Sequence, residues 1–332
     1  MHRGNSTIQV QVQSRTVGVL KQIFAIGEIG LVISLLVIFM FFSIVSGYFL
    51  TVRNITNILG QIALPMIAAV GLSIVLISGE VDISIGSLQA VVALPLIIVM
   101  NATGSFFLGV ICALSAGATI GVINGIFVTR LRVNSLISTL GMYYALRGAV
   151  YLITSKVAIA DRAEVEVFFL LGNGKLFGLL PYSAILMFII LFSFMFILKN
   201  TSYGRRLYAV GGNAEVARAL GIDVQRVKFS ALVTCSILAS ISAILLASRL
   251  GSANHLAGQG FEFQVVAAVV LGGVSLSGGV GTLLGAFIGV LILGIIQNGL
   301  GMLNVNTMWQ LVVTGSIIIL SVAIDELKKR RE

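Results

Sequence analysis

Long apolar runs separated by short polar segments fill nearly the whole chain, and each is close to the ~20 residues a helix needs to cross roughly 30 Å of hydrocarbon. Ten can be drawn, at 29 to 50, 58 to 78, 83 to 101, 106 to 128, 135 to 155, 181 to 198, 229 to 248, 262 to 277, 280 to 300 and 307 to 326. The pattern predicts an all-α, polytopic membrane protein with about ten transmembrane helices and no soluble domain of ordinary size between them. The first run has 22 residues. It is longer than a secretory signal core, and it reads as a retained span. The eighth is the least regular: it contains Glu262 and Gln264 and then breaks into "GGVSLSGGVG".

Charge decides how the eighth run counts. Segments 1–28, 129–134, 199–228 and 327–332 hold fifteen of the 21 lysines and arginines. By the positive-inside rule all four are expected in the cytoplasm. The chain must then cross an even number of times after residue 228, so the eighth run is expected to cross, with both termini cytoplasmic. The resulting division is a cytoplasmic N-terminal segment 1–28, a transmembrane region 29–326 that includes a large cytoplasmic loop 199–228, and a basic tail 327–332. The longest external segment, about 156–180, balances Lys156, Arg162 and Lys175 against Asp161, Glu164 and Glu166. It has room for a short surface helix.

Composition agrees: 58% of residues are hydrophobic and 10% charged, against roughly 25% charged in soluble domains. The net charge of +9 follows from basic segments beside apolar spans, so it reports topology and no nucleic-acid partner is expected. Cys112 and Cys235 lie inside apolar runs and read as small buried hydrophobes. Glycines at 117, 121 and 125, and at 281, 285 and 289, recur every fourth residue. They suit close helix packing, with a lined pathway as the alternative. The pattern G-x-V-x-[IL]-S-x-G occurs at Gly79–Gly86 and again at Gly272–Gly279, an echo that duplication or chance would produce.

Three polar features interrupt this background. "SGEVDISIGS", residues 78–87, places Glu80 and Asp82 at a glycine-marked break. One reading is a turn in which Asp82 or Ser84 caps the next helix; the other is an unwound segment inside the bilayer facing a polar cavity. Arg147 lies well inside the fifth span, where an unpaired guanidinium costs at least ~2.5 kcal/mol. An intramembrane ion pair with Glu80, or with Asp82, is expected. In the loop Tyr203–Lys228, Asn213 suits an N-cap, Glu215 puts an acid in the first turn, and Gly221 suits a left-handed C-terminal stop. These predict a two-turn helix on the membrane surface.

That loop also carries a resemblance. "GGNAEVARALGI", residues 211–222, resembles the E-A-A-x-x-x-G loop of ABC transporter permeases. "SGEVDISIGS", "AGQGFEFQVVAAVVLGGVSLSGGVGT" and "GVLILGIIQNGL" are similar to other segments of ribose-type monosaccharide ABC importer permeases, and the likeness runs from about residue 45 to the C-terminus. Val216 stands where the family usually has alanine, and Gln264 where it commonly has aspartate. The resemblance implies an ATPase coupling loop made by Gly212, Asn213, Glu215, Ala217, Arg218 and Gly221. It implies partner ABC ATPase subunits, a periplasmic sugar-binding protein, and a second permease copy or homologue, all working at the bacterial inner membrane.

The chain has no phosphate loop: its only Gly-Lys pair, Gly174-Lys175, is followed by Leu. ATP and Mg are therefore expected on the partner ATPase, with no cofactor, metal site or catalytic residue in this chain. The expected activity is sugar import by alternating access, through a path with few fixed charges. Asp82, Ser84, Gln297 and Asn298 are the candidates to line it. The rival is a secondary transporter in which Glu80 or Asp82 binds H⁺ or Na⁺, which would have no use for a docking loop.

Overall fold

The computed structural model describes residues 29–319 except 155, 156, 161, 162, 307, 314 and 318. The N-terminal segment 1–28, the basic tail 327–332 and the end of the tenth expected span lie outside the described residues. Helices α1 (Ile29–Val45) and α2 (Val52–Ile77) are followed by α3 (Ile85–Val91), α4 (Ala93–Thr103), α5 (Phe106–Thr129) and α6 (Ser135–Thr154). Then come α7 (Glu166–Asn173), α8 (Tyr182–Asn200), α9 (Ser202–Gly212), α10 (Ala214–Ala219) and α11 (Val224–Leu250). The last are α12 (Phe261–Leu271), α13 (Leu283–Met302) and α14 (Met308–Ile317).

Among the described residues, seven helices are long and apolar enough to cross a membrane: α2, α3 with α4, α5, α6, α8, α11 and α13. The chain is a multi-pass membrane protein. The three shorter apolar helices, α1, α12 and α14, fall at the first, eighth and tenth expected spans. At 1.5 Å per residue the 11 residues of α12 cover about 16 Å, half a bilayer core. It begins after a loop, 254–260, that reaches in to touch Gly86 and Gln89 of α3.

Caps account for the boundaries that differ from the hydropathy pattern. α2 begins six residues before the expected 58 because Thr51 Oγ1 accepts from the Asn54 N–H at 3.3 Å, and the Asn54 amide donates to Phe49 O at 2.9 Å. Polar residues that look like loop are therefore first-turn helix. α11 likewise starts early, at Asp223, whose Oδ1 accepts from Arg226 N–H at 3.1 Å.

α2 is the axis of the molecule. From Ile62 to Ile77 every residue of it is buried, as in a helix surrounded by others. It packs on α8, α11, α12 and α13, and Ile62, Met66, Ile67, Leu72 and Ile74 are fully enclosed. α5 lies against α11, with Gly117 facing Ser240, Gly121 facing Ser236 and Val233, and Gly125 facing the Phe229 ring. The first glycine stripe therefore serves packing, where close contact replaces the hydrophobic drive that lipid does not supply. α6 is peripheral, touching mainly α3 and α5. In the segment expected outside, α7 is present and lays Phe168 inward. The strands are two-residue pieces, Lys175–Leu176 with Leu180–Pro181 and Ile159–Ala160 with Ser252–Ala253.

Candidate functional site

α9 and α10 form a bent pair whose joint is Asn213. Its backbone is extended (φ −159°, ψ 104°), and its Oδ1 accepts from the N–H groups of Glu215 and Val216, both at 3.0 Å. Gly221 ends the helix at φ +79°, with its N–H on Arg218 O and the Ile222 N–H on Ala217 O, both 3.0 Å. This is the local stop that such a conformation requires, and glycine takes it without a Cβ clash. Ala217 is buried against the body of the protein, while Gly212, Glu215 and Arg218 are exposed. Val216 and Leu220 are also outward, 54% and 74% exposed. A short helix that offers apolar side chains beside an acid and a base has the makeup of a contact surface.

The pair rests on two interrupted segments. Gly211 lies so close to the end of α2 and to the turn after α12 that a Cβ there would overlap the Ile77 carbonyl oxygen and crowd the Gly279 nitrogen. Those segments are joined to each other, because Gly279 N–H donates to Ile77 O at 2.9 Å. Tyr208 of α9 ties down the second one by donating to Gly281 O at 2.8 Å. A side-chain link joins the first: Lys228 Nζ meets Glu80 Oε1 at 2.6 Å.

Residues 79–84 are the unwound stretch, and they run along one face of α6. Val81 N–H donates to Ser135 Oγ and Ile83 N–H to Thr139 Oγ1, each at 3.1 Å, while Thr139 Oγ1 also reaches Val81 O at 3.4 Å. Non-helical backbone away from water needs partners of this kind. Asp82 and Ser84 are fully buried. Asp82 Oδ1 accepts from Ser84 N–H at 2.9 Å and Ser84 Oγ at 2.6 Å, and Asn124 Nδ2 donates to Ser84 Oγ at 3.0 Å. The other Asp82 oxygen has no hydrogen-bond partner. The segment is unwound inside the protein, and the expected cap is not made: neither Asp82 nor Ser84 accepts from the first-turn N–H groups of α3, and Asp82 closes a turn on Ser84 just ahead of it.

The expected Arg147–Glu80 pair is not formed. Ser135, Thr139, Tyr143 and Arg147 are spaced by four along α6 and share a face. That puts Arg147 about 18 Å beyond Ser135, whose partner Val81 is next to Glu80. Arg147 instead donates to His255 O at 2.9 Å, Ala257 O at 2.8 Å and Gly86 O at 3.3 Å, with Tyr143 5.4 Å beneath it. Asp82, the alternative acid, is taken up by Ser84. Carbonyl oxygens take the hydrogen bonds of Arg147, and the buried acid that faces it is Glu262, which lies against Gly86 and interacts with Arg147 and Tyr143.

The four path candidates do not share a lining. Gln297 sits in a small groove between α2, α12 and α13 with Gln61 and Gln264, and accepts from Gln264 Nε2 at 3.1 Å. Asn298 beside it is buried, with its Oδ1 unpartnered. Neither Asp82 nor Ser84 lines that groove. Sequence reasoning missed Ser135, Thr139, Asn124 and Lys228, although the four-residue spacing in α6 was open to view. Among the described residues no group of three His, Cys, Asp or Glu side chains is assembled to hold a metal ion.

A multi-pass bundle with interrupted helices and a capped helix pair projecting from one end is built as a transport permease. The family described as "Branched-chain amino acid transport system / permease component" matches residues 54–322, and the chain belongs to it. It is 37% identical over 299 residues to the ribose import permease protein RbsC of Escherichia coli strain K12, covering 90% of this chain and 93% of that one. It is 36% identical over 308 residues to the L-arabinose ABC transporter permease protein AraH of Azospirillum brasilense, covering 92% and 89%. RbsC of Bacillus subtilis strain 168 is 35% identical over 302 residues, 91% and 93% of the two chains. No solved structure matches. The chain is thus the transmembrane permease subunit of an ATP-binding-cassette importer, a transporter component rather than an enzyme, and such permeases work with ATPase and binding-protein partners.

Proposed function

We propose that this permease imports a monosaccharide or a related small polar solute across the bacterial inner membrane, by alternating access powered from a separate ATPase. Relatives named for ribose and L-arabinose support the sugar class. Gln297 and Asn298 are the path residues; Asp82 and Ser84 shape the unwound stretch beside the path. The chain crosses ten times, with α1, α12 and α14 completing the set and both termini cytoplasmic, as the distribution of basic residues requires. The transmembrane region is 29–326, between the segment 1–28 and the tail 327–332. The complex contains two permeases, two ATPases that bind ATP and Mg, and a periplasmic sugar-binding protein.

The observation that carries this reading is α10, which is capped at both ends, held to the protein by Ala217, and outward-facing at Val216, Leu220, Glu215 and Arg218. Gly212, Asn213 and Gly221 fix its angle; Glu215 and Arg218 meet the ATPase. Replacing Glu215 by lysine reverses an exposed charge and leaves the Asn213 cap intact. The Glu215→Lys complex is expected to lose its ATPase on affinity purification while the permease still inserts and migrates as a single species. Undiminished co-purification would overturn the docking reading.

A further inference from the structure

We infer that the Glu80–Lys228 ion pair is the linkage by which movement of α10 shifts the buried stretch around Asp82, so that these two side chains set how tightly ATP hydrolysis is coupled to transport. The inference rests on α10 being the ATPase docking helix.

The pair joins the two parts such a linkage must join. Lys228 stands in the second turn of α11, directly after the loop that ends α10. Glu80 is two residues before Asp82, in the unwound stretch itself. Among the described residues there is one other ion pair, Arg226–Asp223, which is exposed and local in sequence. The Glu80–Lys228 pair spans 148 positions and its side chains are 13% and 22% exposed. A charge-assisted bond is stronger than a neutral one, and partial burial lessens its screening.

Its mechanical role differs from that of the neighbouring contact. Gly211 abuts Ile77 backbone to backbone. Such a contact resists compression and offers little against separation. An ion pair holds in both directions. It also faces a cleft of about 600 Å³ that is lined by Arg218 of α10, Arg132 beyond α5, and Asp223. Open space there lets α10 move. The load arrives at Asp82, whose Oδ1 has both its bonds within the same turn and whose second oxygen is unpartnered, so a small shift changes the hydrogen bonding of a buried acid.

The test uses the assembled complex, with its ATPase and binding protein, in proteoliposomes. Uptake of D-ribose and L-arabinose is read against ATP hydrolysis in the same vesicles, and bound ATPase is quantified. Glu80→Lys and Lys228→Glu are each expected to lower the sugar moved per ATP by at least about fivefold with ATPase still bound, and Lys228→Arg to keep wild-type coupling. The double variant Glu80→Lys with Lys228→Glu is expected to return to within about twofold of wild type. The cleft gives both reversed charges access to water, which favours assembly. If a single variant yields no folded permease, the double variant still decides, since it folds and couples only if the pair is what matters. Wild-type coupling in both single variants, or a double variant no better than either, would overturn the linkage. Loss of ATPase from Glu80→Lys would overturn it too, by moving the effect to docking. A wild-type complex that never binds ATPase removes the docking reading itself, a failure separate from these.

Discussion

The two interrupted segments that meet beneath Gly211 share the pattern G-x-V-x-[IL]-S-x-G and leave their helices by the same turn, Glu80 N–H on Val75 O matching Val274 N–H on Val269 O, but pair the backbone beyond it differently. In the first, 79–84, the backbone is served by side chains from elsewhere: Ser135 and Thr139 take up Val81 and Ile83. In the second, 272–282, the chain mostly serves itself, the exceptions being Gly279 N–H on Ile77 O and Tyr208 O–H on Gly281 O. Val274 N–H donates to Val269 O at 3.2 Å, Ser275 N–H to Val280 O at 3.0 Å, and Gly278 N–H to Ser275 O at 3.3 Å. Matched glycines differ as well: Gly79 has φ +81°, whereas its counterpart Gly272 has φ −70°. The echo in conformation is displaced by one residue from the echo in sequence, with Gly273 (φ +86°) making the turn that Gly79 makes. One segment depends on how α6 sits beside it and the other holds its own shape, which makes the first the one suited to move and the second a fixed seat.

The contrast is sharpest at their common contact. Gly211→Ala adds a methyl group into the Ile77 carbonyl and the Gly279 nitrogen, both backbone atoms that cannot rotate aside. It is expected to cost about 3 kcal/mol or more through overpacking. The measurement is the melting of the detergent-solubilised permease together with sugar uptake, and both should fall steeply. A variant with unaltered melting and uptake would mean that the seat is softer than its geometry, and the comparison would lose its footing.

What the sequence disclosed follows the reach of the interactions. The α10 helix was legible because Asn213, Glu215 and Gly221 act within a few residues of themselves. The unwound stretch was legible only as one of two readings, since its partners are 54 and 56 positions away and those of Arg147 are 61, 108 and 110 away. Arg147 was assigned an acid on the ground that a buried cation needs a charge. Three carbonyl oxygens, a ring face and a different acid, Glu262, meet that need, and no local pattern marks which of them will be within reach. The length of α12 was hidden for a related reason: hydropathy records that residues 262 to 277 avoid water, whether helix, turn or loop keeps them there.

A smaller effect is expected within the first segment. Thr139→Val preserves shape and removes the hydroxyl that accepts from Ile83 N–H and reaches Val81 O. The buried N–H then has no partner, at about 1–3 kcal/mol. Melting should drop accordingly, and hydrogen exchange at Ile83 should quicken while exchange at Ser275 stays unchanged. Equal acceleration at both would show that the two segments open as one unit.

The smallest effect belongs to the second segment and supplies the control. Ser275 Oγ accepts from Ser277 N–H at 3.2 Å, a local bond across one residue. Ser275→Ala removes it but leaves the Ser275 N–H on Val280 O and the Gly279 N–H on Ile77 O, which are the bonds that shape the turn. The expected loss is therefore below about 1 kcal/mol, with uptake near wild type. Both substitutions remove one hydroxyl acceptor of a backbone N–H, buried at Ile83 and part-buried at Ser277, so their difference reports where the acceptor comes from together with how far water can replace it. If Ser275→Ala cost as much as Thr139→Val, the second segment would depend on its side chains as heavily as the first. The division into a movable stretch and a fixed seat would then have to be given up.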